Sequence, residues 1–233
     1  MAGLIIIVIL ASVLAFLVWA SADISSGIYV RALCRKKTEE KVVALTFDDG
    51  PDGDSTERVL DVLGKYGVHA TFFLIGKKAE QYPELVRRMV EEGHTIGMHT
   101  YSHSPFFPLW NSRKVKAEIE ENREALYRIT GRRVRLFRPP FGVTNPIIGK
   151  VLKQSGYDCI GWSIRSFDTV ERKERSSILE KIDRRLSPGD IVLLHDRCPG
   201  ADRLVEDILK MMADKGFRPV SADKLLEINS DED

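Results

Sequence analysis

Cysteine is scarce and odd in number: three in 233 residues, Cys34, Cys159 and Cys198. Their spacing fits no thiolate metal motif and no disulfide framework. Charge of one sign is lacking as well. Thirty-five basic residues stand against 34 acidic ones, a net charge of +1. That balance removes the electrostatic argument for a nucleic-acid partner and is silent on acidic substrates. There are no internal repeats and no low-complexity segment apart from the acidic tail, Asp231-Glu232-Asp233, which is expected to fray. Nothing in the composition sets an oligomeric state.

The one long apolar run, Gly3 to Ala20, has no Lys or Arg ahead of it. Eighteen uncharged residues just reach the length needed to cross a bilayer, and Trp19 sits where an interfacial aromatic is expected. Ala20-Ser21-Ala22 has the small-x-small form of a cleavage site, so a signal peptide is the alternative to an anchor. The sequence divides into a membrane anchor or signal segment (1–22), a juxtamembrane stalk (23–40), one main domain (41–228) and the tail (229–233). Arg31, Arg35, Lys36 and Lys37 follow the span, and the positive-inside rule would hold them, and the domain, in the cytoplasm.

Beyond the stalk, strand-like and helix-like segments alternate. Apolar runs at 42–47, 68–75, 95–99, 134–137, 157–162, 190–194 and 217–220 read as strands. Between them lie amphipathic helices: one capped by Ser55 or Thr56 and ending before Gly67, one opening at Pro83, and a long one from Arg113 to Thr130. Further helices open at Asn145-Pro146, at Ser176 or Ser177, near Leu204 and at Ser221. Strands this continuously apolar are buried on both faces, which argues a mostly parallel sheet with helices outside. Periodicity does not choose between an open doubly wound sheet and an irregular barrel.

The chemistry-bearing residues gather at the C-terminal ends of these strands, the edge that carries activity in barrel-like α/β folds. Asp48 and Asp49 end the first run in Thr46-Phe47-Asp48-Asp49-Gly50. His99 and His103 stand four apart. Arg138-Pro139-Pro140-Phe141-Gly142 follows the fourth run and His195 closes the sixth. Each cluster alone has an ordinary reading as a turn, a pair of solvated histidines or a surface charge. Together, an Asp and two His can hold a divalent metal with positions left open, and a second Asp beside them is free to act as a base.

The ordered set TFDDG, HxxxH, RPPxG and LxH resembles the polysaccharide deacetylases of the NodB-homology type, carbohydrate esterase family four, over roughly residues 41–228. The resemblance implies a distorted (β/α) barrel of about seven parallel strands with outer helices. It implies a metal-dependent N-deacetylase acting on aminosugars of a peptidoglycan- or chitin-like envelope polysaccharide. It assigns Asp49, His99 and His103 to the metal, Asp48 to the catalytic base, Arg138 to holding that base, the backbone N–H of Phe141 to the oxyanion and His195 to the general acid. Most relatives carry Tyr at the position of Phe141, and the substitution keeps the amide donor. The donor set suits zinc and also cobalt or nickel.

The chain departs from the family pattern in Trp162-Ser163-Ile164-Arg165-Ser166-Phe167-Asp168-Thr169. Arg165 stands where Asp is frequent and Thr169 where Trp is frequent, which leaves Asp168 to support His195. Phe106, Phe107 and Trp110 read equally as a sugar-stacking rim or as packing. Cys159 is expected in the core; Cys198, in a loop near His195, is either packed or reactive. The family precedent places the domain outside the inner membrane, against the positive-inside reading, and the expectation follows the family. Other functions compatible with the motifs are a deacylase of a lipid-linked aminosugar, an O-acetyl esterase, or an inactive glycan-binding module.

Overall fold

The computed structural model describes residues 1–170 and 174–231. Among the described residues eight strands form one parallel sheet: β1 (Val42–Asp48), β2 (Thr71–Leu74), β3 (Thr95–Met98), β4 (Leu136–Phe137), β5 (Asp158–Cys159), β6 (Ile164–Arg165), β7 (Ile191–His195) and β8 (Arg218–Val220). Seven of them run in the order β5-β4-β3-β2-β1-β7-β6, and β8 pairs with the first residues of β1. β1, the longest, lies central between β2 and β7 and is buried from Val43 to Asp48. Such burial on both faces requires apolar residues at odd and even positions alike.

The helices are α1 (Ala2–Ala22), α2 (Gly53–Lys65), α3 (Gly76–Gln81), α4 (Pro83–Glu91), α5 (Ser112–Thr130), α6 (Pro146–Ser155), α7 (Arg175–Arg185), α8 (Ala201–Asp214) and α9 (Ala222–Leu226). Several start where their sequence signals stand. Pro83 opens α4. The Asn145 side chain accepts from the Ile148 N–H at α6, and the Asn111 side chain accepts from the Lys114 N–H at α5, each satisfying an otherwise orphaned donor. The start of α2 differs from expectation. Ser55 and Thr56 lie inside its first turn, because Thr56 Oγ1 is engaged elsewhere: it accepts from the Asp52 N–H and donates to Asp196.

Two expectations change in a way that matters for the site. The run 157–162, read as one strand, is only β5. The chain then leaves that edge of the sheet and returns as β6 at the opposite edge, beside β7. Among the described residues β5 and β6 do not pair, so the sheet curls without closing. The second change concerns the stalk. Residues 23–40 are not a free tether but a strap packed on the domain. Ile24 and Val30 are buried. Leu33 exchanges backbone hydrogen bonds with Cys159 and Gly161, and the Lys36 N–H reaches the Gly189 carbonyl. Arg35 pairs with Asp190 at 2.8 Å and Lys36 with Glu227 at 2.7 Å.

α1 is exposed along its length except at Ala20, which is buried, and Ser21, which is half-buried. It is the one helix among the described residues that is long and apolar enough to cross a membrane. At its end the Thr144 N–H donates to the Ser21 carbonyl and Ser26 Oγ to the Ala20 carbonyl. The expected frayed tail is tied down at its start, where the Arg135 N–H bonds the Ser230 carbonyl and Asp231 bridges to Val134. Glu232 and Asp233 lie outside the described residues.

Candidate active site

Register brings the motifs to one height. Asp48 is level with His195 across β1 and β7, and with Phe73 across β1 and β2. Met98 is level with Phe137 across β3 and β4, so the residues that follow, His99 and Arg138, leave the sheet side by side. The pair is then locked: His99 Nδ1 donates to the Arg138 carbonyl at 2.7 Å. That bond fixes the tautomer and turns Nε2 toward the site.

Arg138 is fully buried and nearly saturated. Its Nη1 donates to Asp48 Oδ1 at 2.7 Å and to Thr46 Oγ1 at 2.9 Å. Its Nε reaches the Ile160 carbonyl and its Nη2 the Gly161 carbonyl. A buried cation needs this many partners to offset its desolvation. Because the last two carbonyls belong to the segment between β5 and β6, the guanidinium also ties the two sheet flanks to the base of the site.

Asp49, His99 and His103 form a compact donor set. Asp49 Oδ1 lies 3.5 Å from His99 Nε2 and 3.3 Å from His103 Nε2, and one ligand atom from each residue falls within 4.8 Å of the others. The two imidazoles are not on a helix; the segment after β3 is a loop that brings their centroids to 4.9 Å. Asp49 and His103 both have positive φ, 72° and 49°, a strained choice for non-glycine residues that clusters at functional sites.

This set fits a divalent cation. His103 Nε2 is buried with no hydrogen-bond partner among the described residues, and it faces Asp49 Oδ1 at 3.3 Å, as two ligands of one cation do. Burial, and then the neighbouring His99, push the His103 imidazole down to about 4, which leaves it neutral, as a ligand must be. Burial disfavours the Asp49 carboxylate, but the His99 hydrogen bond and the three surrounding histidines outweigh it and hold the group below the usual carboxylate range.

Across the pocket, His195 Nδ1 bonds Asp168 Oδ1 at 2.8 Å, and the His195 N–H donates to Asp168 Oδ2 at 2.7 Å. Ser166 Oγ donates to the same carboxylate at 2.8 Å. Burial works against the imidazolium of His195, yet the Asp168 hydrogen bond and the charges of Asp168, Asp48 and Asp49 together raise its pKa above the ordinary value. His195 Nε2 stands 4.0 Å from Asp49 Oδ2, facing the donor set. The space between is a pocket of about 140 Å³, bounded by the two Asp, the three His, Phe141 and Trp162.

Phe141 has φ 60° and its ring, half exposed, meets His103 edge-on at 4.9 Å. Gly142 follows with φ 71°, and a Cβ there would lie 2.3 Å from the Trp162 ring. The glycine of RPPFG is therefore needed both for its backbone angle and for the approach of Trp162.

Two neighbours of His195 carried no motif signal. Arg197 Nε donates to Asp49 Oδ2 at 2.9 Å, taking the oxygen that the histidines leave. Asp196 is fully buried, and burial pushes it up to about 6. A Cβ on Gly50 would lie 2.3 Å from its Oδ2, which explains the glycine of TFDDG. Of the aromatic triplet, Phe107 is core, packed on Phe137 and Trp110, while Phe106 is exposed. Cys198 is buried and its thiol is pushed up to about 12 by that burial, so the reactive alternative does not hold. Cys159 is buried in β5.

Comparison with known proteins identifies the family and the fold. The polysaccharide deacetylase family model matches residues 35–160. A peptidoglycan-N-acetylmuramic acid deacetylase, PdaC of Bacillus subtilis (strain 168), is 32% identical over 189 residues, 81% of this chain and 39% of that protein. The chain thus spans about two fifths of PdaC. A chitooligosaccharide deacetylase of Sinorhizobium fredii is 37% identical over 172 residues, covering 73% of this chain and 79% of the relative. A crystal structure of a peptidoglycan N-acetylglucosamine deacetylase superimposes with a TM-score of 0.81 at 30% identity, covering 85% of this chain and 94% of the other. By family model, sequence and fold together, the chain belongs to the polysaccharide deacetylase family.

Proposed function

We propose that this protein hydrolyses the N-acetyl group of aminosugars in a cell-envelope glycan, releasing acetate and leaving a free amine. The observation that carries the reading is the opposition of two devices across one small pocket: the Asp49–His99–His103 set with Asp48 on one side, and the Asp168–His195 pair on the other. The relatives support the substrate class, since their names specify peptidoglycan and chitooligosaccharide acetyl groups.

A divalent cation held by Asp49, His99 and His103, with zinc the first candidate and cobalt or nickel compatible, supplies Lewis acidity toward water and carbonyl alike. The remaining work falls to the chain. Asp48 accepts the proton of the attacking water through Oδ2, while Arg138 holds its Oδ1 and keeps the carboxylate aimed. As the carbonyl becomes tetrahedral, the Phe141 N–H donates to the developing oxyanion. When the C–N bond breaks, His195 Nε2 gives its proton to the departing nitrogen, and Asp168 holds the ring and stabilises its charged form. The pocket has room for an acetamido group, with the sugar ring outside in the open groove.

α1 serves in this reading as a membrane anchor with the domain on the extracytoplasmic side. Two of the four cations that argued the other way have folded-state partners, Arg35 with Asp190 and Lys36 with Glu227, so their presence has a reason independent of topology. Cys34 is a poor labelling probe, because its thiol is half-buried and raised by that burial. An exposed site on α5, Lys116→Cys, serves instead: labelling of intact cells by an impermeant maleimide is expected, and protection until the membrane is opened would reverse the topology. The activity itself is tested by acetate release from peptidoglycan fragments and chitin oligomers, before and after chelation and metal replacement. No acetate from either glycan with metal restored would overturn the reading.

A further inference from the structure

The strap changes where the active site can work. Eighteen residues of free tether would let the domain range tens of ångströms from the bilayer. Here residues 23–40 are folded onto the domain, and Ala20 is buried against it. α1, 21 residues long, spans about 30 Å, so its whole length is used by the hydrocarbon layer. The domain is therefore seated at the membrane surface, with the turn from Trp19 to Ser25 at headgroup level.

At that level opens a groove of about 630 Å³, lined by the end of α1 together with Arg35, Trp162, Arg165, Phe167 and Arg185. Trp162 and Arg165 also line the catalytic pocket, so the two spaces share a wall. The groove carries three guanidinium groups and one carboxylate, Asp23, which already accepts from the N–H and the hydroxyl of Ser25. Arg35 is committed to Asp190. Among the described residues Arg165 and Arg185 have no carboxylate partner; Arg165 lies only over aromatic faces, 5.0 Å from the Phe167 centroid and 5.9 Å from that of Trp162. Arginine is the side chain suited to a phosphate, and here it stands between the bilayer interface and the catalytic pocket.

We propose that this groove binds the phosphate of a membrane-lipid-linked N-acetylated aminosugar and delivers its acetamido group to the catalytic pocket. The proposal rests on the deacetylase reading and narrows its substrate class. A groove occupied only by phospholipid headgroups would use the same chemistry for docking alone, so the experiment separates the two.

The full chain is placed in phosphatidylcholine nanodiscs and acetate release is measured on isoprenyl-phosphate-linked N-acetylglucosamine and on chitotetraose. The expected result is a kcat/KM preference of tenfold or more for the lipid-linked sugar. In the double variant Arg165→Ala/Arg185→Ala that preference is expected to fall at least tenfold, with the thermal melt unchanged, since both side chains are exposed. A preference that is absent, or that survives the double variant, overturns the proposal and leaves the deacetylase reading intact. Equal competition by free N-acetylglucosamine 1-phosphate and by the lipid-linked compound overturns the lipid part. A loss in the double variant that is equal for both substrates and appears only in phosphatidylglycerol nanodiscs reduces the groove to a headgroup contact and overturns it as a substrate site. Acetate from neither substrate overturns both readings.

Discussion

The two walls of the pocket are built differently. One wall, Asp48, Asp49, His99, His103 and Arg138, follows the ends of β1, β3 and β4 toward the middle of the sheet, and its key cation is fully buried with four hydrogen bonds. The other joins His195, the last residue of β7, to Asp168, which follows the two-residue edge strand β6, whose Arg165 is exposed. The central wall keeps the Asp, His and Arg of the motifs it resembles and differs only in Phe141 for the usual Tyr, whereas the edge wall departs at Arg165 and Thr169. The comparison teaches where change is costly: Arg138 cannot move without breaking bonds to β1 and to the segment between β5 and β6 at once, whereas the exposed Arg165 can change without breaking any such bond.

The sharpest way to break this contrast is to remove the donor set. Asp49→Ala, His99→Ala and His103→Ala are each expected to lose bound metal and activity together, by roughly 10³-fold or more since the Lewis acid goes with them. Metal analysis by mass spectrometry checks it; full occupancy in all three variants would remove the proposed site.

Asp48→Asn separates base from cation. Metal content is expected to stay, while turnover falls about 10²–10⁴-fold. Arg138→Met tests the same wall through stability. It strands the Asp48 carboxylate in the interior, and breaking a buried pair costs about 3–5 kcal/mol, readable as a large drop in melting temperature. If Arg138→Met melts like the wild type, the claim that the central wall is held from several directions fails.

How much of this could be read from the chain follows the same division. Strand ends carrying TFDDG, HxxxH, RPPxG and LxH were legible because each motif closes a local apolar run. The strap was not, because its polar composition reads as linker and its partners lie far off in sequence: Arg35 meets Asp190 and Leu33 meets Cys159. The break between β5 and β6 was hidden inside one apolar stretch, 157–162, since nothing local says that a chain will cross to the other edge of its sheet. Arg197 and Asp196 had no motif of their own; their roles come from Asp49 and Thr56, more than a hundred residues away.

On the edge wall, His195→Ala is expected to slow amide substrates far more than activated esters. An amine must be protonated to leave, whereas a good ester leaving group departs as an anion. A loss of about 10²-fold or more on chitotetraose, with little loss on an aryl acetate, would mark a proton donor. Equal losses on both substrates would mark a residue that positions substrate instead.

The smallest effect is expected at Asp168, and its signature is in pH. The His195 pKa lies above its ordinary value because the Asp168 hydrogen bond and nearby carboxylates outweigh burial. A general acid works only while protonated, so activity is lost as pH rises through the folded-state pKa. Asp168→Asn removes the largest of the raising influences. The alkaline limb of the kcat/KM profile should therefore move to lower pH, with a loss on the order of tenfold near neutrality. The same linkage acts on stability with a definite sign. A raised histidine pKa contributes stability that is fully present below the unfolded value and disappears as pH rises through the folded one. The melting temperatures of wild type and Asp168→Asn should differ most in acid and converge in alkali. An alkaline limb that stays in place would mean that Arg165 and its surroundings, not Asp168, set the protonation of His195, and that the edge wall has been rewired more deeply than its hydrogen bonds show.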